Sequence, residues 1–222
     1  KSPTDMGVNM AGNCIVDDEA CREASRNEII RRYFKALCDH KIGKNVDSEI
    51  FKLELLLNQA GLAVGDRAVE KQAHAVAERT GGAPAAAIEL PDGTVVTGKN
   101  GPLLGAASSA LLNALKKLAG IDHEIDLVSA RAIEPIQTLK TNYLGSKNPR
   151  LHTDEILIAL SSSAAQNPTA AAALKQLSHL KGCDMHSTVI LSSVDMDTVK
   201  KLGMYLTCEP TYEEADRMYH KK

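Results

Sequence analysis

The chain has 222 residues, enough for one large domain or two compact units with separate cores. Its 26 Lys and Arg against 28 Asp and Glu give a formal charge of −2, which excludes a general nucleic-acid binder, because neutralising phosphates takes a concentrated cationic surplus. Hydrophobic residues make up 44% of the chain but aromatics only 3%, with no Trp, so Leu, Ala, Ile and Val must build the core.

No apolar run reaches the roughly 20 residues of a membrane-spanning helix, and no secretory signal pattern is present. The expectation is a soluble, cytoplasmic protein with no membrane partner. The cysteines Cys14, Cys21, Cys38, Cys183 and Cys208 are odd in number and form no C-x-x-C pair, as expected of reduced thiols. The chain opens on Lys1-Ser2-Pro3 without an initiator Met, which suggests a missing upstream half as its partner.

After a polar entry, Asp17 is placed to cap a helix whose apolar positions Ala20, Ala24, Ile30, Tyr33, Phe34 and Leu37 follow a helical period, ending near Gly43. A second helix is expected from Ser48 to Ala60, with Gly61 at its end, and a third from Asp66 to Thr80. Gly81-Gly82 and Pro84 mark a change of pattern, and a β-hairpin follows: Ala85 to Leu90, a Pro91-Asp92-Gly93 turn, then Thr94 to Gly98. Leu104, Ala107, Leu111, Leu115 and Leu118 describe an amphipathic helix ending at Gly120. Then come a short strand at Ile125 to Val128, a helix over Ala130 to Lys140, a loop from Asn142 to Arg150, and a helix begun at His152 or Thr153. Asn167-Pro168 restarts a helix in cap-then-first-turn order. The end reads strand (Ser187 to Leu191), helix (Asp195 to Leu202), strand (Met204 to Thr207) and a short helix with a capping box at Thr211 to Glu214.

These elements make an α+β chain: an N-terminal helical subdomain over 1–82, then a three-layer α/β/α domain with a mixed sheet over 83–222.

The strings SPTDMGVNM (2–10), NEIIRRY (27–33), VTGKN (96–100), LGSKNPRLHTDEILIAL (144–160) and HSTVIL (186–191) closely resemble the C-terminal half of uncharacterised protein family 0371, a bacterial family of unassigned function. The resemblance implies a missing N-terminal half carrying a glycine-rich segment like a phosphate-binding loop, hence a nucleotide or another phosphorylated ligand. Some members are labelled ATP-dependent zinc proteases; His123-Glu124 begins like H-E-x-x-H, but Leu127 stands where the second His must lie.

The hairpin, its G-x-N loop and the following helix resemble the opening of the cytidine-deaminase fold. The zinc-binding places of that fold fall near Ala107-Ser108-Ser109 and Pro149-Arg150-Leu151-His152-Thr153, which lack its ligands and its glutamate. The implied fold is deaminase-like with no metal, and its cleft would suit an anionic group, since helix N-termini and Arg favour negative charge.

The loop 145–155 concentrates cations, an imidazole and a carboxylate. His152 and Glu155 are the acid-base candidates, and Lys147, Asn148 and Arg150 the anion-binding ones, unless Thr153 to Glu155 simply cap a helix beside solvated cations. Lys99, Asn100 and Ser109 would line the same cleft, and His186 would contact the ligand without metal. Two readings stay open. In one, the chain supplies part of a nucleotide- or phosphometabolite-dependent enzyme site; in the other, it is a non-catalytic module that packs against the other half or forms a homo-oligomer.

Overall fold

The computed structural model describes residues 17–65 and 67–213, so the string at 2–10, Cys14, Asp66 and Glu214 of the expected capping box lie outside the described residues. The chain divides into two compact units, 1–64 and 65–222.

The first unit pairs two helices, α1 (Asp18–Lys41) and α2 (Asp47–Ala60). Asp17 caps α1 by accepting from the Ala20 N–H at 2.9 Å, as its position in the sequence predicts. Ile30 and Phe34 of α1 bury against Leu57 of α2, with Ile29, Tyr33 and Leu62 around them. Gly61 ends α2 in the left-handed conformation, φ 64°, where any side chain would be strained.

The second unit opens with α3 (Ala68–Arg79), then β1 (Ala85–Glu89), β2 (Val95–Lys99) and α4 (Ala106–Leu118). It continues through α5 (Ala130–Thr138), α6 (Thr153–Ala164), α7 (Pro168–Leu174), β3 (Asp184–Ser187), α8 (Ser193–Lys201) and β4 (Tyr205–Cys208). The strands form one mixed sheet in the order β2-β1-β3-β4, with β1 antiparallel to both neighbours and β3 parallel to β4.

Alternate strand residues serve opposite faces. Ala86, Ile88 and Met185 join Leu111 and Leu115 of α4, and Leu160 of α6, in the main core. Ala87 packs instead on Val69 and Ala73 of α3. The sheet is therefore sandwiched, which meets the expectation of an α+β chain with a mixed sheet. Because α3 packs on the sheet, it belongs to the second unit, and the break in compactness precedes it rather than following at Gly82.

Four expected elements differ. Residues 125–128 form no strand: the Ile125 N–H closes a turn onto the Asp122 carbonyl, and Leu127 and Val128 are buried as loop residues. The third strand is Asp184–Ser187 rather than 187–191, because Met185 to Ser187 find partners on both sides, whereas Val189 to Leu191 run past the end of β1 and line a cavity. α8 begins at Ser193, capped by the Ser192 side chain, two residues before the expected start. Leu139–Tyr143 continue α5 as a π-helical turn where a loop is expected from Asn142, and this wider turn swings Lys140 inward to near-complete burial. Among the described residues, no helix is long and apolar enough to cross a membrane.

Candidate functional site

The segment Gly101–Gly105 and the approach to α6 are tied by a pair of backbone hydrogen bonds: Leu151 N–H to the Leu103 carbonyl (2.9 Å) and Gly105 N–H to the Leu151 carbonyl (3.3 Å). Ser108, buried in the first turn of α4, donates to the same Leu151 carbonyl at 2.9 Å. These bonds bring the N-termini of α4 and α6 together, and the Val189–Ser192 segment adds that of α8. A cavity of about 250 Å³ lies between them, lined by Asn100, Arg150, His152, Ser192, Asp195 and Glu213 among others. Helix N-termini present N–H groups and a positive dipole end, so the setting favours a negative group.

One is already there. The Glu213 carboxylate accepts from Arg150 Nη1 at 2.8 Å and from Asn100 Nδ2 at 3.1 Å. Arg150 is held by its Nε–H to the Gly101 carbonyl (3.0 Å), and Asn100 Oδ1 accepts the Ala106 N–H (2.7 Å), capping α4. Asn148 turns the chain into position by accepting from the Arg150 N–H at 3.0 Å.

His152 precedes α6. Its Nδ1 lies 2.9 Å from Asp195 Oδ2 and 3.3 Å from Ser192 Oγ. Asp195 also accepts from the Thr153 N–H (2.8 Å) and from Ser192 Oγ (2.7 Å). Burial pushes the Asp195 carboxyl up, but the His152 hydrogen bond and charge, with the Thr153 and Ser192 donors, outweigh it and hold Asp195 below its ordinary value. The hydrogen bond to Asp195 raises His152 above the usual imidazole value, against an opposing effect of burial.

An ionised carboxylate only accepts, so Nδ1 carries the hydrogen and Nε2 is the nitrogen left to exchange a proton. Ser192 approaches the same ring nitrogen as Asp195, whereas a nucleophilic triad needs serine and carboxylate on opposite ring nitrogens. Ser192 therefore positions Asp195 and is no nucleophile of this histidine.

Glu155 is not among the cavity-lining residues. Its Oε2 accepts from the His152 N–H and from the buried Lys140 Nζ, each at 2.7 Å, and Lys140 also donates to the Arg150 carbonyl at 2.6 Å. It fixes the backbone on which His152 and Arg150 stand.

Of the residues singled out in the sequence, Asn100, Asn148, Arg150 and His152 come together at this cavity. Lys99 and Ser109 instead line a separate cavity of about 720 Å³, along with Arg79, Lys116 and His123, between β2, α4 and the 121–130 loop. Lys147 is exposed and lines neither cavity. His186 is fully buried on the α3 face of the sheet, where its ligand atom lies with those of His74 and Glu209, all within 4.8 Å of one another.

Sequence reasoning misses Ser192, Asp195 and Glu213. Ser192-x-x-Asp195 is legible as a helix start, but nothing local ties it to a histidine so far back in the chain.

Two family models match the chain: "Domain of unknown function DUF1846, C-terminal" over residues 65–219, and "Domain of unknown function DUF1846, N-terminal" over residues 1–61. Among curated relatives, a UPF0371 protein of Corynebacterium glutamicum is 54% identical over 222 residues, covering 100% of this chain and 44% of the relative. UPF0371 protein cu0538 of Corynebacterium urealyticum is 55% identical over 212 residues, 96% of this chain and 42% of the relative. UPF0371 protein str1377 of Streptococcus thermophilus is 50% identical over 220 residues, 99% of this chain and 44% of the relative. The chain thus spans less than half the length of these relatives.

Proposed function

The chain belongs to the DUF1846 family of unknown function, and since that name assigns no chemistry, we propose from the cavity itself that the 65–222 unit binds a small acidic metabolite and contributes His152 as its proton carrier. The observation that carries this reading is the carboxylate of Glu213 seated on Arg150 and Asn100 beneath converging helix N-termini, which stands in for the acidic group of a ligand. The ligand's phosphate or carboxylate replaces it there, and His152, supported by Asp195, gives or takes a proton through Nε2.

Volume limits the ligand. Sites for drug-sized molecules run about 300–1,000 Å³, and 250 Å³ holds a phosphate with a short carbon skeleton. A nucleotide would seat only its phosphate end here, with the remainder held by the rest of the longer protein. Among the described residues Cys21, Cys38, Cys183 and Cys208 join in no disulfide, in keeping with the cytoplasmic setting proposed here.

The test is isothermal titration and thermal shift of the full-length protein with inorganic phosphate, short sugar phosphates, dicarboxylates and nucleotides. A ligand at a hundred times its Kd adds about 2.7 kcal/mol of stability. The expected result is a clear shift with a small acidic compound that Arg150→Ala abolishes. Full binding by Arg150→Ala, or no shift with any acidic compound, overturns the reading.

The packing-module reading has one support of its own: Leu139, Tyr143, Leu144 and Ile158 are large apolar side chains left mostly exposed. If they cover a partner surface, Tyr143→Ser with Leu144→Ser changes the oligomeric state by light scattering and leaves ligand shifts alone.

A further inference from the structure

The α3 face of the sheet carries a second constellation. Glu209 follows β4, and its Oε1 lies 3.1 Å from His74 Nε2 on α3 and 3.4 Å from His186 Nε2 on β3. We propose that His74, His186 and Glu209 form a binding site for one divalent transition-metal ion of the zinc class, with an open coordination position toward solvent.

Geometry is the first support. A tetrahedral ion with bonds of about 2.0–2.1 Å keeps its ligand atoms about 3.3 Å apart, and both carboxylate-to-imidazole separations are close to that, with all three atoms within 4.8 Å. Two imidazoles and one carboxylate suit zinc and its neighbours rather than calcium or magnesium.

The tautomer of His186 is the second. Thr207 Oγ1 accepts from Arg67 Nη2 at 2.7 Å and donates to the Met185 carbonyl at 3.3 Å. With its one hydrogen committed, Thr207 accepts from His186 Nδ1 at 2.9 Å. The hydrogen of the neutral ring therefore sits on Nδ1, and the Nε2 lone pair points at the cluster. A cation placed between Nε2 and the Glu209 carboxylate, 3.4 Å apart, meets a lone pair from each. A hydrogen bond that fixes the far nitrogen is how metal-binding histidines are oriented.

Charge is the third. The layer beside the cluster holds Arg67 against Glu70 and Asp184. The carboxylates of Glu70, Asp184 and Glu209 make this layer rich in negative charge, a setting that favours a cation. Exposure sets the open position: the side chain of His186 is fully buried, that of Glu209 is 24% exposed and that of His74 51%, so the missing ligand enters from the side of His74. His186 closes a C-x-x-H spacing with Cys183, His74 belongs to no local metal motif, and the fragment His123-Glu124 is largely exposed elsewhere.

The experiment strips full-length protein with EDTA, then titrates zinc chloride against a chromophoric chelator and records cobalt(II) chloride spectra. One equivalent should bind, and cobalt should give the intense visible bands of a four-coordinate site. His74→Ala changes a half-exposed side chain, so folding, checked by circular dichroism, persists. It should weaken binding by more than the roughly 10- to 100-fold that loss of an orienting partner costs, which is the loss expected of Thr207→Val. Absence of stoichiometric binding by the wild type, or equal affinity in His74→Ala, overturns the proposal.

Discussion

The two faces of the sheet are built on opposite principles. On the α4 side, Ala86, Ile88 and Met185 meet Leu111, Leu115, Ile156 and Leu160 in a large apolar core. On the α3 side, the apolar contact shrinks to Val69, Ala73, Ala87 and Val95, and the rest of the buried layer is Arg67, Glu70, Asp184, Thr207 and His186. Apolar burial stabilises in proportion to area and tolerates imprecision, at about 25 cal/mol per Å². A buried charged network returns little net stability, but it punishes the loss of any one member, because the remaining charges stay buried and uncompensated. The α4 face holds the fold together, and the α3 face holds particular atoms in place.

The sharpest way to break this contrast is Arg67→Met, which leaves Glu70 and the partly buried Asp184 without their cation. The expected loss is about 3–5 kcal/mol in urea unfolding, and adding Glu70→Gln should restore part of it, because a neutral side chain is less costly to bury alone. A double variant no better than Arg67→Met would mean that Arg67 acts through packing and not through charge.

The α4 face fails by volume instead. Gly98 of β2 lies so close to α4 that an added Cβ would meet the Ala110 nitrogen at 2.1 Å and the Ala106 oxygen at 2.7 Å. These are backbone atoms that no rotamer change can move. Gly98→Ala should cost about 3 kcal/mol, the upper end for overpacking, and a loss below about 1 kcal/mol would show that α4 can slide outward.

The same contrast explains what is legible in the sequence. The hairpin, α4 and α6 are readable because apolar residues recur at two or at three-to-four residues, and that periodicity is the packing of the α4 face written locally. The same rule misplaces a strand at 187–191: Val189 to Leu191 are apolar because they line a cavity, whereas β3 itself is Asp184-Met185-His186-Ser187, of which Asp184 and His186 face the buried network. At the candidate site, the cluster of Asn148, Arg150 and His152 is visible because it sits in one short loop. Asp195 and Glu213, like His74 and Glu209 across the sheet, come from distant segments and meet their partners only through the fold. A carboxylate that pairs with a histidine far along the chain leaves no spacing to read.

The His152–Asp195 pair at the candidate site should also show in the pH dependence of stability. Because the folded value of His152 is raised, its contribution to stability is complete below the unfolded value of about 6.5 and fades as pH rises through the folded one. Asp195 is lowered, so its contribution is complete above about 3.8 and fades as pH falls through its folded value. The difference in Tm between wild type and Asp195→Asn should therefore be largest between about pH 4 and 6.5 and shrink on both sides. If the Tm difference between wild type and Asp195→Asn instead stays flat from about pH 4 to 9, across the unfolded value of His152, then His152 and Asp195 do not exchange charge in the folded protein. That outcome would remove the proton-carrier role of His152 while leaving the anion role of Arg150 standing.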